Sequence, residues 1–147
     1  MDISEATLDK FNQNLLYGLV GIHVEEAAGG KALSRLTPKP EVCWPFPDQP
    51  HGGVLFTLMD TTMAWAVLSL LKPNHNCLTI HLDIQYIAPA KGDFFVCAAE
   101  VSEQTRSMSF ISAEIRDSED RLLAVGQASF RIIKGDPFQL EKDQPAH

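Results

Sequence analysis

Runs of basic residues are absent from this sequence. Twelve lysines and arginines face nineteen acidic residues, for a formal net charge of −7. Clustered positive charge is the footprint of a nucleic-acid-binding surface, so no nucleic-acid partner is expected. The same acidity obliges an anionic ligand to find a local basic patch. Paired C-x-x-C cysteines are also absent. Cys43, Cys77 and Cys97 leave an odd thiol, which fits buried packing in a reducing, cytoplasmic setting better than a disulfide framework. No metal is expected, because His75-Asn76-Cys77 lacks the spacing of a structural zinc site. The start of the chain, "MDISEATLDKFNQNLL", is acidic and amphipathic, unlike a signal peptide. Residues 54–71 almost reach membrane-spanning length, but Asp60, three threonines and a serine interrupt them. A buried core helix is the better reading, and no membrane partner is expected.

The 147 residues, 45% of them hydrophobic, suit a single domain spanning 1–147 with one core. Ser4 is placed to cap a first helix over about 4–16, with Leu8, Phe11, Leu15 and Leu16 on one face. Residues 17–24 and 31–37 read as strands around Gly29-Gly30. The following "TPKPEVCWPFPDQP" has five prolines in fourteen residues, which forbids a helix there. Residues 53–71 form the long helix, apolar round nearly its whole circumference and therefore surrounded by protein. Pro73 and Asn74 end it. Four strand-like runs follow: "LTIHLDIQYIA", "DFFVCAAEVS", "SMSFISAEIRD" and "RLLAVGQASFRII". In the first, Leu78, Ile80, Leu82, Ile84 and Tyr86 alternate with Thr79, His81, Asp83 and Gln85. Short turns between the runs predict an antiparallel meander. The expected architecture is α+β: five or six antiparallel strands wrapped around one central helix, with a polar, frayed tail after 134.

The chemistry concentrates in "HGGVLFTLMD". A carboxylate about two turns inside an apolar helix costs several kcal/mol unless it is paired or wet, so Asp60 is either a hydrogen-bond anchor or a functional group. Gly52 and Gly53 stand where the loop enters the helix. There the Gly52 N–H can face a carbonyl oxygen with the helix dipole behind it, or the two glycines simply make a tight turn.

"HGGVLFTLMD" resembles the H-G-G-x(6)-D signature of the hotdog-fold, PaaI-like (phenylacetyl-CoA) branch of acyl-CoA thioesterases. "LDIQYIAPAKGD" is similar to that family's strand-turn segment and "RLLAVGQASFRI" to its closing strand, so the resemblance covers about 18–133. It implies a hotdog fold and hydrolysis of an acyl-CoA thioester to free acid and coenzyme A. No cofactor is implied beyond the coenzyme A of the substrate itself. Asp60 would be base or nucleophile, and Thr79 matches the position of a Ser or Thr that orients the attacking water. The alternation of the strand opposes Thr79, placing it away from Leu78 and Ile80 unless a bulge intervenes. His51 either bonds substrate or fixes the loop. Where many relatives carry an Asn, six residues before the motif His, this chain has Pro45, which offers no donor. Gln49 or Asp48 could substitute, and the usual aryl-acetyl specificity is then in question. Trp44 and Phe46 are candidates to line an acyl pocket, with Trp65 more suited to the core. Lys91 and Arg106 are candidates for the coenzyme A phosphates, or ordinary surface residues.

Spacing adds a constraint of its own. Eight positions separate Gly52 from Asp60, roughly 10–12 Å along one helix, whereas a carbonyl and its attacking group must meet within about 3–3.5 Å. Two antiparallel helices across a two-fold axis could satisfy both. The expectation is a homo-oligomer with a dimer as the active unit, a tetramer remaining open. Two other functions compete: a hotdog hydratase or dehydratase using a His51/Asp60 pair, and an acyl-CoA-binding module without turnover. A DNA-linked sensor is disfavoured, since about seventeen residues precede the first strand.

Overall fold

The computed structural model describes residues 3–138. The elements are α1 (Glu5–Asn12), α2 (Leu15–Val20), β1 (Ile22–Ala28), β2 (Lys31–Leu36), a 3-10 turn (Pro40–Val42), α3 (Gly52–Leu68), β3 (His75–Tyr86), β4 (Phe95–Gln104), β5 (Met108–Asp117) and β6 (Leu122–Lys134). All six strands join one antiparallel sheet in the order β1-β2-β4-β5-β6-β3. The sheet wraps α3, and this is the hotdog fold. The expected meander holds for β4, β5 and β6 but not for β3. The 87–94 connection, with Pro89 inside it, is too long for a hairpin turn, and β3 pairs with β6 instead. Strand β3 is consequently an edge, running alongside α3.

The first helix is shorter than expected. Ser4 does cap it, its Oγ accepting the Thr7 N–H at 3.2 Å, but α1 stops at Asn12. The Asn12 side chain bonds the Val24 N–H and C=O at 2.8 and 2.9 Å, which ties the helix to β1. Asn14 then caps a separate α2 through the Leu16 N–H. Residues 17–20, expected as strand, are therefore helical. Gly21 ends α2 at φ 92°, where a Cβ would stand 2.0 Å from the Thr37 carbonyl oxygen.

Helix α3 ends at Leu68 rather than at residue 71. The Ser69 hydroxyl donates to the Ala66 carbonyl and accepts the Gly30 N–H, at 2.7 and 2.8 Å. The last turn is thus fastened to the β1–β2 hairpin. Leu58, Met59, Met63 and Val67 are sealed against Leu36, Phe95, Ile115, Leu123 and Phe130. The helix comes close to the sheet at Gly126, where a Cβ would lie 2.3 Å from the Met59 sulfur. Only glycine admits the helix there.

The chain does not enclose α3 completely. Gly53, Phe56, Thr57, Asp60, Thr61 and Ala64 form a stripe at helical spacing that is half-buried or exposed. Asp60 sits at its middle. The tail past Lys134 begins differently from the frayed end expected: Phe138 packs edge-on against Phe11 and stacks on Trp65. The remainder of that tail lies outside the described residues.

Candidate active site

Two clusters lie along α3, one at its N-terminus and one two turns on. The proline-rich loop builds the first. A Cys43–Pro50 bridge and backbone bonds from the Trp44 N–H to the Gln49 carbonyl and from the Gln49 N–H to the Phe46 carbonyl pinch the loop into a tight projection. Phe46 is exposed at its tip, and Trp44 folds back to stack on His51 with ring centroids 4.6 Å apart. His51 is the N-cap of α3: its Nδ1 accepts the Gly53 N–H at 2.9 Å. A capping role consumes one orphan helix donor.

The adjacent donor is left over. Among the described residues, the Gly52 N–H has no acceptor, while the Gly53 N–H is bound to His51 and the Val54 N–H to the His51 carbonyl. Gly52 opens onto a depression of about 440 Å3 bordered by Trp44, Gln49, Leu55, Tyr86 and Ile87. A free N–H at the positive end of a 17-residue helix is suited to an oxygen that acquires negative charge.

The second cluster pairs Asp60 with Thr79, whose hydroxyl donates to Asp60 Oδ1 at 2.7 Å. The strand alternation opposing this pairing is broken by a bulge. In the β3–β6 ladder Thr79 pairs with Phe130 and His81 with Ser129, leaving Ile80 as the extra residue. Cys77 and Thr79 therefore face α3 together with Leu82, Ile84 and Tyr86, while Leu78 and Ile80 turn outward, 52% and 57% exposed. The continuous apolar face expected for Leu78 through Tyr86 is thus divided. Thr79 and Tyr86 are an odd number of residues apart, and on an unbroken strand only one could reach the helix. The bulge lets β3 serve both clusters.

Asp60 is half-buried and bonded to β3 through Thr79, and its charge reaches Cys77 of β3 and Tyr17 of α2. Burial pushes the Cys77 thiol up to about 12, and the Asp60 charge adds to the rise, so this thiol is no nucleophile near neutral pH. Burial also raises the Tyr17 phenol, opposed by its bond from Trp65 Nε1 at 3.0 Å and reinforced by Asp60. Trp65 itself is core, packed on Phe11.

The remaining candidates fall at different places. Gln49 borders the depression, while Asp48 is exposed on the loop. Lys91 follows Ala90 at the Gly52 end of the sheet. Arg106, in the β4–β5 turn, lies toward the opposite end, past the row shared by Thr79, Phe130 and Ser109. Among the described residues, no three His, Cys, Asp or Glu side chains are grouped to hold a metal, and no helix is long and apolar enough to cross a membrane. Sequence reasoning missed the contact from Tyr86, whose hydroxyl donates to the Gly52 carbonyl at 2.6 Å. The available signal was a tyrosine ending the strand that follows the helix.

Comparison with known proteins bears on the family and the fold. The chain is 35% identical over 130 residues to a Halobacterium salinarum protein that carries a provisional esterase name, covering 82% of this chain and 86% of that one. A thioesterase of Haemophilus influenzae has the same fold at a TM-score of 0.84 and 17% identity, covering 98% and 97% of the two chains. The PaaI protein from the phenylacetic acid degradation operon of E. coli superposes at 0.76 with 22% identity, over 87% and 91%. The model of the thioesterase superfamily matches residues 51–124, from the cap of α3 through the first residues of β6. With that match and the 35% identical relative, the chain belongs to the thioesterase superfamily.

Proposed function

We propose that this protein hydrolyses acyl-CoA thioesters at two equivalent sites, each shared by two copies of the chain. The carrying observation is the division of the chemistry along α3. The free Gly52 N–H and the Asp60–Thr79 pair lie about 12 Å apart by helical rise, on a helix that keeps its Asp60 stripe uncovered. Beside that stripe, β3 is a sheet edge. A second copy related by a two-fold axis would cover the stripe and set Gly52 of one chain against the partner's Asp60. The antiparallel arrangement would also bring the Lys91 end of one chain toward the partner's Arg106, assembling the local positive charge that an acidic chain needs for coenzyme A phosphates.

In this reading the thioester carbonyl oxygen accepts the Gly52 N–H, which stabilises the oxyanion as it forms. Thr79 engages Oδ1 of Asp60 and fixes the carboxylate plane, leaving Oδ2 to take a proton from water or to attack the carbonyl itself. On the first route the water oxygen adds to the carbonyl carbon, the carbon–sulfur bond breaks, the acid forms, and coenzyme A leaves and takes up the proton. On the second the same bond breaks to leave a mixed anhydride on Asp60. Water then hydrolyses it to the free acid and the carboxylate, its proton going to the coenzyme A thiolate. His51 acts structurally here, since one ring nitrogen holds the Gly53 N–H and the ring is stacked on Trp44. That commitment favours hydrolysis over a His51-based hydratase.

The test is a thiol-release assay over short, medium, long-chain and aryl acyl-CoAs, with the oligomeric state measured at assay concentration. Turnover of at least one saturated acyl-CoA by a dimer or larger assembly is expected. Tight binding without thiol release from any of them would instead make this an acyl-CoA-binding module, and a monomer would refute the shared site.

A further inference from the structure

We propose that Tyr86 is a positioning residue for the reaction: acting through the Gly52 carbonyl, its hydroxyl sets the direction of the Gly52 N–H. The inference rests on the thioesterase reading above and extends it to a side chain that never has to touch the reacting atoms.

A donor aimed at an oxyanion is worth most when its direction is fixed before the reaction, so that nothing reorganises as charge develops. Two consecutive glycines are the backbone least able to supply that rigidity unaided, because they lack the side-chain sterics that restrict φ and ψ. Neighbouring groups supply it here. The peptide between Gly52 and Gly53 is held at both ends: the Tyr86 hydroxyl donates to its carbonyl at 2.6 Å, and its N–H donates to His51 Nδ1 at 2.9 Å. The preceding peptide, which carries the Gly52 N–H, is held through its carbonyl by the Val54 N–H at 2.8 Å. Both planes flanking the Gly52 Cα are therefore fixed, and the one N–H left without a partner points where they direct it. Of these three restraints, the Tyr86 bond alone comes from outside the helix start.

Three further features fit this role. Tyr86 is the last residue of β3, and the Ile80 bulge brings it onto the helix side along with Thr79. One strand thereby orients both the carboxylate and, through Gly52, the N–H. Burial raises the phenol above its ordinary pKa, so the hydroxyl stays a donor across the neutral range. The ring also lies 3.4 Å from where a Cβ on Gly52 would be, close enough to limit movement of that backbone.

The experiment compares Tyr86→Phe with Tyr86→4-aminophenylalanine, using an acyl-CoA that the wild type turns over. Phenylalanine keeps every ring carbon and removes the donor; the amino analogue restores one. We expect kcat of Tyr86→Phe to fall roughly tenfold to a hundredfold, part of the loss seen when such a donor is removed. KM and the affinity for a non-hydrolysable thioether analogue should stay within about twofold, and the amino analogue should recover most of kcat. In glycine-labelled protein the Gly52 amide resonance should move in Tyr86→Phe and return in the rescued variant. This readout requires no turnover and applies even if wild type releases no thiol, an outcome that would count against the thioesterase reading alone. The proposal is overturned by kcat within about twofold of wild type, by a rise in KM alone, by a loss that the amino analogue does not restore, or by an unmoved Gly52 amide.

Discussion

Replacing Asp60 with Asn is expected to lower turnover of an acyl-CoA by at least about a hundredfold while substrate binding survives. The amide retains the size of the carboxylate, and its oxygen can still accept the Thr79 hydroxyl that now holds Oδ1 at 2.7 Å. What it loses is the capacity to take a proton or to attack a carbonyl. Folding should not suffer, since the substitution removes a half-buried charge from an otherwise apolar helix. The check is kcat together with the affinity for a non-hydrolysable analogue and the melting temperature. If more than about a tenth of wild-type turnover remains, Asp60 is a hydrogen-bond anchor for β3 and the base lies elsewhere.

Gly52 should be nearly as sensitive, for a different reason. Its φ lies outside the left-handed region, so alanine is not excluded by the backbone itself. The new methyl would instead stand 3.4 Å from the Tyr86 ring, at the edge of the depression into which the free N–H opens. Crowding the carbonyl away from that N–H should cost about a hundredfold in turnover, the usual effect of losing one such donor. Stability should fall by only about 1 kcal/mol. Gly53→Ala provides the contrast. A methyl there comes 3.0 Å from His51 Nδ1, so it should disturb the cap and lower the melting temperature more than it lowers kcat. Normal turnover by a folded Gly52→Ala protein would reduce this glycine to a turn residue.

What the sequence disclosed and what it hid divide along physical lines. The apolar helix and its lone carboxylate were legible because burial imposes composition, and Asp60 violates that composition at a cost. The glycines were legible because a helix start leaves backbone donors unpaired. Strand β3 was misread at one position. Regular alternation from Leu78 to Tyr86 is the default for a half-buried strand, and nothing in "LTIHLDIQY" marks Ile80 as the bulged residue. The chemistry gave the only hint, since Thr79 could meet Asp60 only if the alternation broke. The edge position of β3 was hidden too, because antiparallel order depends on how the 87–94 segment travels over the sheet rather than on local periodicity. The break between α1 and α2 turns on Asn12 and Asn14, whose side chains bond backbone groups in ways that a helical wheel does not register. The link from Tyr86 to Gly52 joins residues 34 positions apart and becomes visible only once the strand is docked on the helix.

Subunit complementation tests the shared site most directly. Asp60→Asn chains and Gly52→Val chains, each inactive alone, are mixed under conditions that exchange subunits, and mixed dimers are confirmed by mass. In each mixed dimer one site would collect both lesions, and the other would combine an intact Gly52 with the partner's intact Asp60. With equal amounts and random pairing, activity should recover to about a quarter of the wild-type value per chain. No recovery in confirmed mixed dimers would mean that Gly52 and Asp60 act within a single chain, contradicting the account.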